Sequence, residues 1–402
     1  MKLFFQKNLF LTLVFFFVFL SGWQVGFAGF QLNLRLNPAQ ITVVNKTPPS
    51  QTIDFSLLWD VIDRVNQDFL FRTAIDGKKL LYGAVSGLVE ALGDPYTSFL
   101  IPEQNEAFTK SLEGVYEGIG AELAIRNKQL VIVAPLDGSP ASSAGVRAGD
   151  KILEIEGVST SGITVSEAVS KIRGTAGTPV TLTLQRANDP AFAVTITRAQ
   201  ITVKSVKYEA KGDGIFVIEV SRFGEKTNEE WDDAVAAVKS QNPKGIILDL
   251  RNNPGGYLTS AVYLASEFIE SGPVVLQEDA SGGRQTLSAS ATKNSHAFAQ
   301  TSLVVLINGG SASASEILAG ALREKVEAKL VGEKSFGKGT VQDAVDFDDG
   351  SGLHLTIAKW LTPSGVWVHE VGLEPDFKVE LTDADVNAGN DPQLAAALDL
   401  LR

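Results

Sequence analysis

From Gly214 onward the apolar pattern keeps changing period, and this alternation limits the fold more than any other feature. "GIFVIEV" (214–220), "KGIILDLR" (244–251), "TSLVVLIN" (301–308) and "LTIAKW" (355–360) are short apolar runs of strand length. "NEEWDDAVAAVKSQ" (228–241), "YLTSAVYLASEFIES" (257–271) and "PQLAAALDLLR" (392–402) carry apolar residues at helical spacing. Strands alternating with helices predict a layered α/β region.

The preceding hundred residues have a different character. "GVYEGIGAELAI", "QLVIVAPL" and the alternating "TPVTLTLQR" read as strands, and "TVSEAVSKIRG" reads as a short helix with Ser166 and Glu167 near its start. Ahead of them, Leu57, Leu58, Val61, Ile62 and Val65 form one apolar stripe, and Leu80, Leu81, Ala84, Val85 and Leu88 another. "GDPYTSFL" (93–100) ends this helical part. Residues 29–51 are polar and punctuated by proline, as a linker or arm would be. The first 28 residues read as a secretory signal peptide: Lys2 and Lys7, then apolar Leu9 to Leu20, then small Gly26 and Ala28. An uncleaved membrane anchor is the alternative.

Composition removes several function classes. The net charge of −12 argues against a general nucleic-acid binder, which needs a basic face. With no cysteine, thiolate nucleophiles and disulfides are excluded. The three histidines, His296, His354 and His369, lack the helical spacing of a zinc site. No phosphate-binding G-x-x-x-x-G-K-[ST] loop is present, and no metal or cofactor is expected.

Chemistry concentrates in three segments. "LINGGSASASEILAGALREK" (306–325) sets three alternating serines between a strand-like run and a helix. A helix start aims backbone N–H groups and a positive dipole end at whatever precedes it. Ser313 and Glu316 also fit a capping box, so a cap is the plain reading of that serine taken alone. In "LVGEKSFGKGTVQDAVDF", glycines flank Lys338, and Lys338 and Gln342 are expected on one side of an extended strand. A buried lysine loses proton affinity and can act as a general base toward a serine hydroxyl. A glutamine oxygen can orient that amine, the third-member role of a catalytic triad. "LDLRNNPGG" (248–256) ends a buried strand in a turn whose N–H groups could form one wall of an oxyanion hole, with Ala314 N–H as the other. An exposed lysine, a surface amide and an ordinary glycine turn are the plain readings of these parts.

Taken in order, "DLRNNPGG", "NGGSASASEILAGAL", "VGEKSFGKGTVQ" and "LTIAKWLTPSGVWVHEVGLEPD" resemble the carboxyl-terminal processing (tail-specific) proteases, over nearly the whole mature chain. The resemblance implies an α/β and α+β multidomain chain: a helical N-terminal cap, a PDZ domain, then a layered α/β core of the crotonase/ClpP-like kind. The expected boundaries are 1–28 signal peptide, 29–51 arm, 52–102 helical region, 103–200 PDZ domain, 201–385 protease core and 386–402 terminal helix. It implies a Ser313–Lys338 dyad assisted by Gln342. The oxyanion donors would be Ala314 and a glycine of "PGG", Gly256 in preference to Gly255, while Ser311 and Ser315 are neighbours. "YEGIGAEL" matches the PDZ carboxylate loop, with the N–H groups of Ile119, Gly120 and Ala121 near the substrate terminus, although "IGA" departs from the familiar Gly-Leu-Gly-Phe form. Arg173 of "KIRG" is a candidate switch between PDZ engagement and the active site. Val366 and Trp367 stand where many relatives are more polar, which bears on the rim of the substrate channel.

The implied activity is a serine endopeptidase acting near the apolar free C-termini of exported polypeptides. It would work in the periplasm, or in the thylakoid lumen in a photosynthetic source. An uncleaved signal segment could tether it to a membrane, and residues 29–60 with the terminal helix could support a homodimer. A catalytically silent PDZ peptide-binding or chaperone protein is the alternative. A His-Asp-Ser exported protease would lack its "GNSGG" motif here, and in an α/β hydratase a Ser–Lys pair would be idle.

Overall fold

The computed structural model describes residues 14–24, 30–36, 39–45, 54–126, 128–136, 138–187, 189–294 and 296–402. The proposed cleavage site at Gly26–Gly29 lies outside the described residues. No helix among the described residues is long and apolar enough to cross a membrane. Contacts divide the chain into two units, residues 1–84 and 85–402.

In the first unit, the segment read as an arm contains an antiparallel ladder, Phe30–Leu36 with Ala39–Asn45. The β-branched "ITVV" and the alternating "LNLRL" favour this extended pairing over the expected linker. Helix Ser56–Asp68 follows, and helix Gly77–Glu90 carries the chain into the second unit.

The second unit contains a PDZ fold and the layered core. The PDZ strands β1 (Ala121–Arg126), β2 (Gln129–Pro135), β3 (Lys151–Ile155), β4 (Pro179–Gln185) and β5 (Phe192–Thr197) run in the order β5-β4-β3-β2-β1. Strand β1 is thus an edge, beside helix α1 (Val165–Ile172). Thr164 and Glu167 start that helix with a capping box. Alternate residues of β4, Val180, Leu182 and Leu184, are fully buried with Ile132, Ile152 and Ile196, which makes a core separate from that of the layered region.

The layered core has a six-stranded sheet. Its order is Val206–Ala210, β6 (Ile215–Val220), β7 (Gly245–Asp249), β8 (Ser302–Ile307), β9 (Lys329–Gly332) and Phe377–Lys378. The first pair is antiparallel and the others parallel. The apolar runs are continuous because both faces are covered. Ile246, Leu248, Val305 and Ile307 face the main core with helices α2 (Thr227–Lys239), α3 (Leu258–Ala265) and α4 (Ala314–Val326). Ile247, Val304 and Leu306 face the other way, against Ala397 of the terminal helix Pro392–Leu401. Each such side chain contributes roughly 1.5–3 kcal/mol of burial.

A second sheet joins Arg284–Ser288, Pro273–Asp279, β11 (Gly352–Leu361) and β10 (Thr340–Asp346). A strand from ahead of the PDZ domain, Ser98–Leu100, pairs with β11. The chain therefore contributes to the core both before and after the PDZ domain.

Candidate active site

Between β8 and α4 the chain must turn sharply, and the strain of that turn falls on Ser313, with φ 55° and ψ −114°. An L-residue in this region costs on the order of 1–3 kcal/mol, and such outliers gather at functional sites. Ser311 and Ser315 are fully buried, and their hydroxyls donate to the carbonyls of Leu250 and Asn253 at 2.7 and 2.8 Å. Ser313 alone of the three is only half-buried. The outer serines bolt this turn to the end of β7, and the middle one is presented.

The capping box expected at Ser313 is only half made. Ser313 N–H donates to Glu316 Oε2 at 2.8 Å, but the Ser313 hydroxyl makes no capping hydrogen bond. Its oxygen stays available. Glu316 itself is fully buried and has a larger part than a cap. Its Oε2 also accepts Lys338 N–H at 2.9 Å, while Oε1 accepts Gly337 N–H at 2.7 Å and the Ser335 hydroxyl at 2.6 Å. One carboxyl oxygen thus takes the backbone N–H groups of both Ser313 and Lys338. A buried carboxyl with four donors is satisfied, and each donor is fixed in return.

Lys338 does not lie on a strand, contrary to the period-two expectation. It sits in the irregular segment before β10, which starts at Thr340, and a register shift between Val341 and Gln342 breaks the alternation that would have linked them. The flanking glycines allow close packing instead. A Cβ on Gly337, at φ 93°, would come within 2.9 Å of Gly372 N, and one on Gly339 within 2.7 Å of His369 and the Trp367 indole. Trp360 Nε1 holds the Lys338 carbonyl at 2.8 Å. Burial pushes the Lys338 amine below the ordinary lysine value, and the charge of Asp94 pulls it part of the way back.

The Gln342 amide donates to the Thr340 and Thr356 hydroxyls at 2.9 and 3.0 Å. With both amide hydrogens committed, its carbonyl oxygen is the group left to accept. The Thr356 hydroxyl in turn bonds Asp94, whose carboxylate also takes the Thr97 hydroxyl at 2.6 Å and Tyr96 N–H at 3.1 Å. Burial pushes the Asp94 carboxyl up, but these hydrogen bonds outweigh it and hold it below the ordinary value.

The Asn-Asn-Pro-Gly-Gly turn is more committed than its sequence suggests. Arg251, Asn252, Asn253 and Gly255 N–H groups donate to Asp249, Asn308, Leu250 and Asn253. The Gly255 and Tyr257 backbones pair with Phe223 instead. That leaves Gly256 N–H, and also Ala314 N–H, without a partner among the described residues. The turn packs directly on Ser313: a Cβ on Gly255, at φ 101°, would lie 2.9 Å from Ser313 Cβ and 3.1 Å from Ala314 N. Fully buried Asn253 locks the two turns, accepting Ala312 N–H and the Ser315 hydroxyl on its carbonyl and donating its amide to Val220 O.

Each histidine has a ring or hydrogen-bond partner of its own. His369 stacks on Trp367, His354 meets Phe108 edge-on, and His296 reaches Ser266 O. No group of three or more metal-ligating side chains is found among the described residues.

In the PDZ fold, Gly118, Ile119, Gly120, Ala121 and Leu123 line one side of a small cleft, and Val169, Ile172 and Arg173 line the other. Gly120 takes φ 71°, and a Cβ there would strike Ser139 at 2.5 Å. The Arg173 guanidinium lies 4.6 Å from the centre of the Tyr116 ring. Arg173 also faces a larger cleft that reaches Val203 and Arg222.

Sequence reasoning missed Asp94, Tyr96, Thr97 and Thr356, and read Glu316 only as a cap. Their pairings span the PDZ domain, as in Thr356 N–H to the Thr97 hydroxyl over 259 residues. The signal available was "GDPYTSF" itself, a polar turn with an aromatic centre.

Comparison with known proteins bears on the family and the fold. The profile of peptidase family S41 matches residues 214–379, and that of the PDZ domain residues 131–186. The carboxy-terminal processing protease CtpA of Bacillus subtilis (strain 168) is 39% identical over 330 residues, 82% of this chain and 70% of the relative. The "Probable CtpA-like serine protease" of Staphylococcus aureus (strain COL) is 38% identical over 376 residues, 90% and 74% of the two chains. Among solved structures, the photosystem II D1 C-terminal processing protease is 30% identical with a TM-score of 0.51, covering 81% of this chain and 92% of that one. Shared domains, identity over most of both chains and a common fold place this chain in peptidase family S41, as a PDZ-containing C-terminal processing serine peptidase.

Proposed function

We propose that the protein cleaves polypeptides near their C-termini by a Ser313–Lys338 mechanism with Gln342 as orienter. The observation that carries this reading is Glu316 Oε2, which holds the backbones of Ser313 and Lys338 on a single atom. In the reaction, the neutral Lys338 amine takes the Ser313 proton as the hydroxyl oxygen attacks the scissile carbonyl. The Gln342 oxygen holds the resulting ammonium. Gly256 and Ala314 N–H groups receive the oxyanion, in line with the positive end of α4. The ammonium then protonates the leaving amine, and water releases the acyl group by the reverse path.

The edge strand β1 and the cleft behind it suit a peptide added as a further strand, its carboxylate on the N–H groups of Ile119, Gly120 and Ala121 and its apolar side chain against Leu123 and Ile172. Arg173, shared between that cleft and the one facing Arg222, is the proposed switch. The division into a 52–102 helical region, 103–200 PDZ domain and 201–385 core follows this assignment of roles. Export by the N-terminal segment, to a periplasm or a lumen, and homodimer formation belong to the same reading.

The test is mass spectrometry of an unfolded protein with an apolar free C-terminus, incubated with residues 29–402 or with the Lys338→Ala chain. Cleavage by the first alone is expected. Cleavage by both would discard the lysine base. Peptide binding without cleavage by either chain would favour a silent PDZ protein.

A further inference from the structure

The side chain of Lys338 is covered by a residue that arrives from the far side of the PDZ domain. Its Nζ lies 5.1 Å from the centre of the Tyr96 ring. Tyr96 is held there from several directions. Its own N–H donates to Asp94, its neighbour Thr97 takes Thr356 N–H, and Ser98–Leu100 pairs with β11. His369 meets its ring edge-on at 5.9 Å, and His369 is itself stacked on Trp367. A ring braced in this way does not swing aside at little cost, as a free surface tyrosine would.

We propose that Tyr96 is a positioning residue for the general base: its ring excludes water from the Lys338 amine and keeps that amine aimed at Ser313. The proposal rests on the Ser–Lys reading above and adds to it a residue outside the serine and lysine segments. Two effects of the ring oppose each other. A cation over an aromatic face is attracted to it, which favours the ammonium, but 5.1 Å is near the outer limit of about 6 Å for that contact. Exclusion of water favours the neutral amine, and burial is the largest influence on Lys338. The drying effect therefore outweighs the attraction.

The other groups around the amine do not replace the ring. Asp94 favours the charged form, and Lys338 also interacts with His354 of β11, which burial holds below the ordinary histidine value. Glu316 accepts the backbone N–H of Lys338. His369 and Glu370 act on the Asp94–Tyr96 turn. The phenol is pushed up by burial and by Glu316, Glu370 and Asp94, so it stays neutral over the working range.

The experiment is the pH profile of kcat/KM for the full mature chain on an unfolded protein substrate. The variants are Tyr96→Phe, Tyr96→Leu and Tyr96→Ala, with Lys338→Ala in parallel and thermal unfolding recorded for each. Tyr96→Phe keeps the ring and is expected to follow the parent profile. Tyr96→Leu, which fills volume without a ring, and Tyr96→Ala are expected to move the rising limb to higher pH. Both should lose about tenfold in rate near neutrality and recover most of it under alkaline conditions. A lowered alkaline plateau with an unmoved limb would overturn the proposal, since that is simple loss of structure. So would a Tyr96→Phe profile as impaired as that of Tyr96→Leu. Cleavage by Lys338→Ala would instead overturn the Ser–Lys reading, and the proposal with it.

Discussion

The cluster proposed for catalysis and the PDZ cleft are built on opposite plans. Around Ser313 almost every backbone group is committed: Glu316 binds four donors, Asn253 ties two turns, and Ser311 and Ser315 are bolted to the end of β7. The PDZ cleft has an open edge strand on one side, and α1 with the Arg173 side chain on the other. Chemistry needs donors and acceptors fixed before the substrate arrives, because reorganisation during the reaction raises the barrier. Recognition of varied tails tolerates looser side chains so long as the backbone ladder is in register.

The comparison breaks if substitutions on the two sides have similar effects. Ser313→Ala is expected to lower cleavage by at least about a thousandfold while leaving tail binding unchanged, read by product formation and by peptide fluorescence anisotropy. Glu316→Gln keeps shape but turns an N–H₂ group toward donors. It should lower kcat by roughly a hundredfold with KM little altered, and Glu316→Ala should destabilise the fold by about 3 kcal/mol in a denaturant titration. Equal activity of Glu316→Gln and the parent would show that the two turns are set without it. Gln342→Ala, which removes the proposed orienting oxygen, should cost about tenfold in kcat. On the recognition side, Arg173→Ala should change the preference for tailed over tailless substrates by several-fold and leave the unstimulated rate alone. An equal fall for both substrates would place Arg173 in catalysis.

The smallest expected effect is on stability. The folded-state affinity of Lys338 for its proton is depressed, so the unfolded chain binds more protons between the depressed value and about 10.4. The cost of burying Lys338 is thus largest near neutrality and fades as pH rises. Lys338→Met should melt slightly higher than the parent near pH 7, by no more than about 1 kcal/mol after screening, with the gap closing toward alkaline pH.

The layered core, the PDZ strands and the presented serine were legible because each rests on local pattern: continuous apolar runs, alternation in β4, and a strand–turn–helix with small residues. What the sequence hid depends on separation or on irregular backbone. The partner of Gln342 is Thr356, the partner of Thr356 is Asp94, and no periodicity links them. Lys338 reaches the site from a glycine-flanked loop followed by a bulge, so strand spacing misjudged how it gets there. The commitment of the Arg251 and Asn253 N–H groups within their own turn, and of the Asn252 N–H to Asn308 from another strand end, was also invisible.

The strand Ser98–Leu100 leaves one more trace, in the order of synthesis. The ring over Lys338 and the strand beside β11 are made early, while their partners lie beyond the PDZ domain. In chain order the PDZ segment, with its own core, is complete before Ser313 and Lys338 are made. Contacts of such long range also form slowly. The proposed Ser–Lys pair therefore cannot assemble until the strands beyond the PDZ domain are in place.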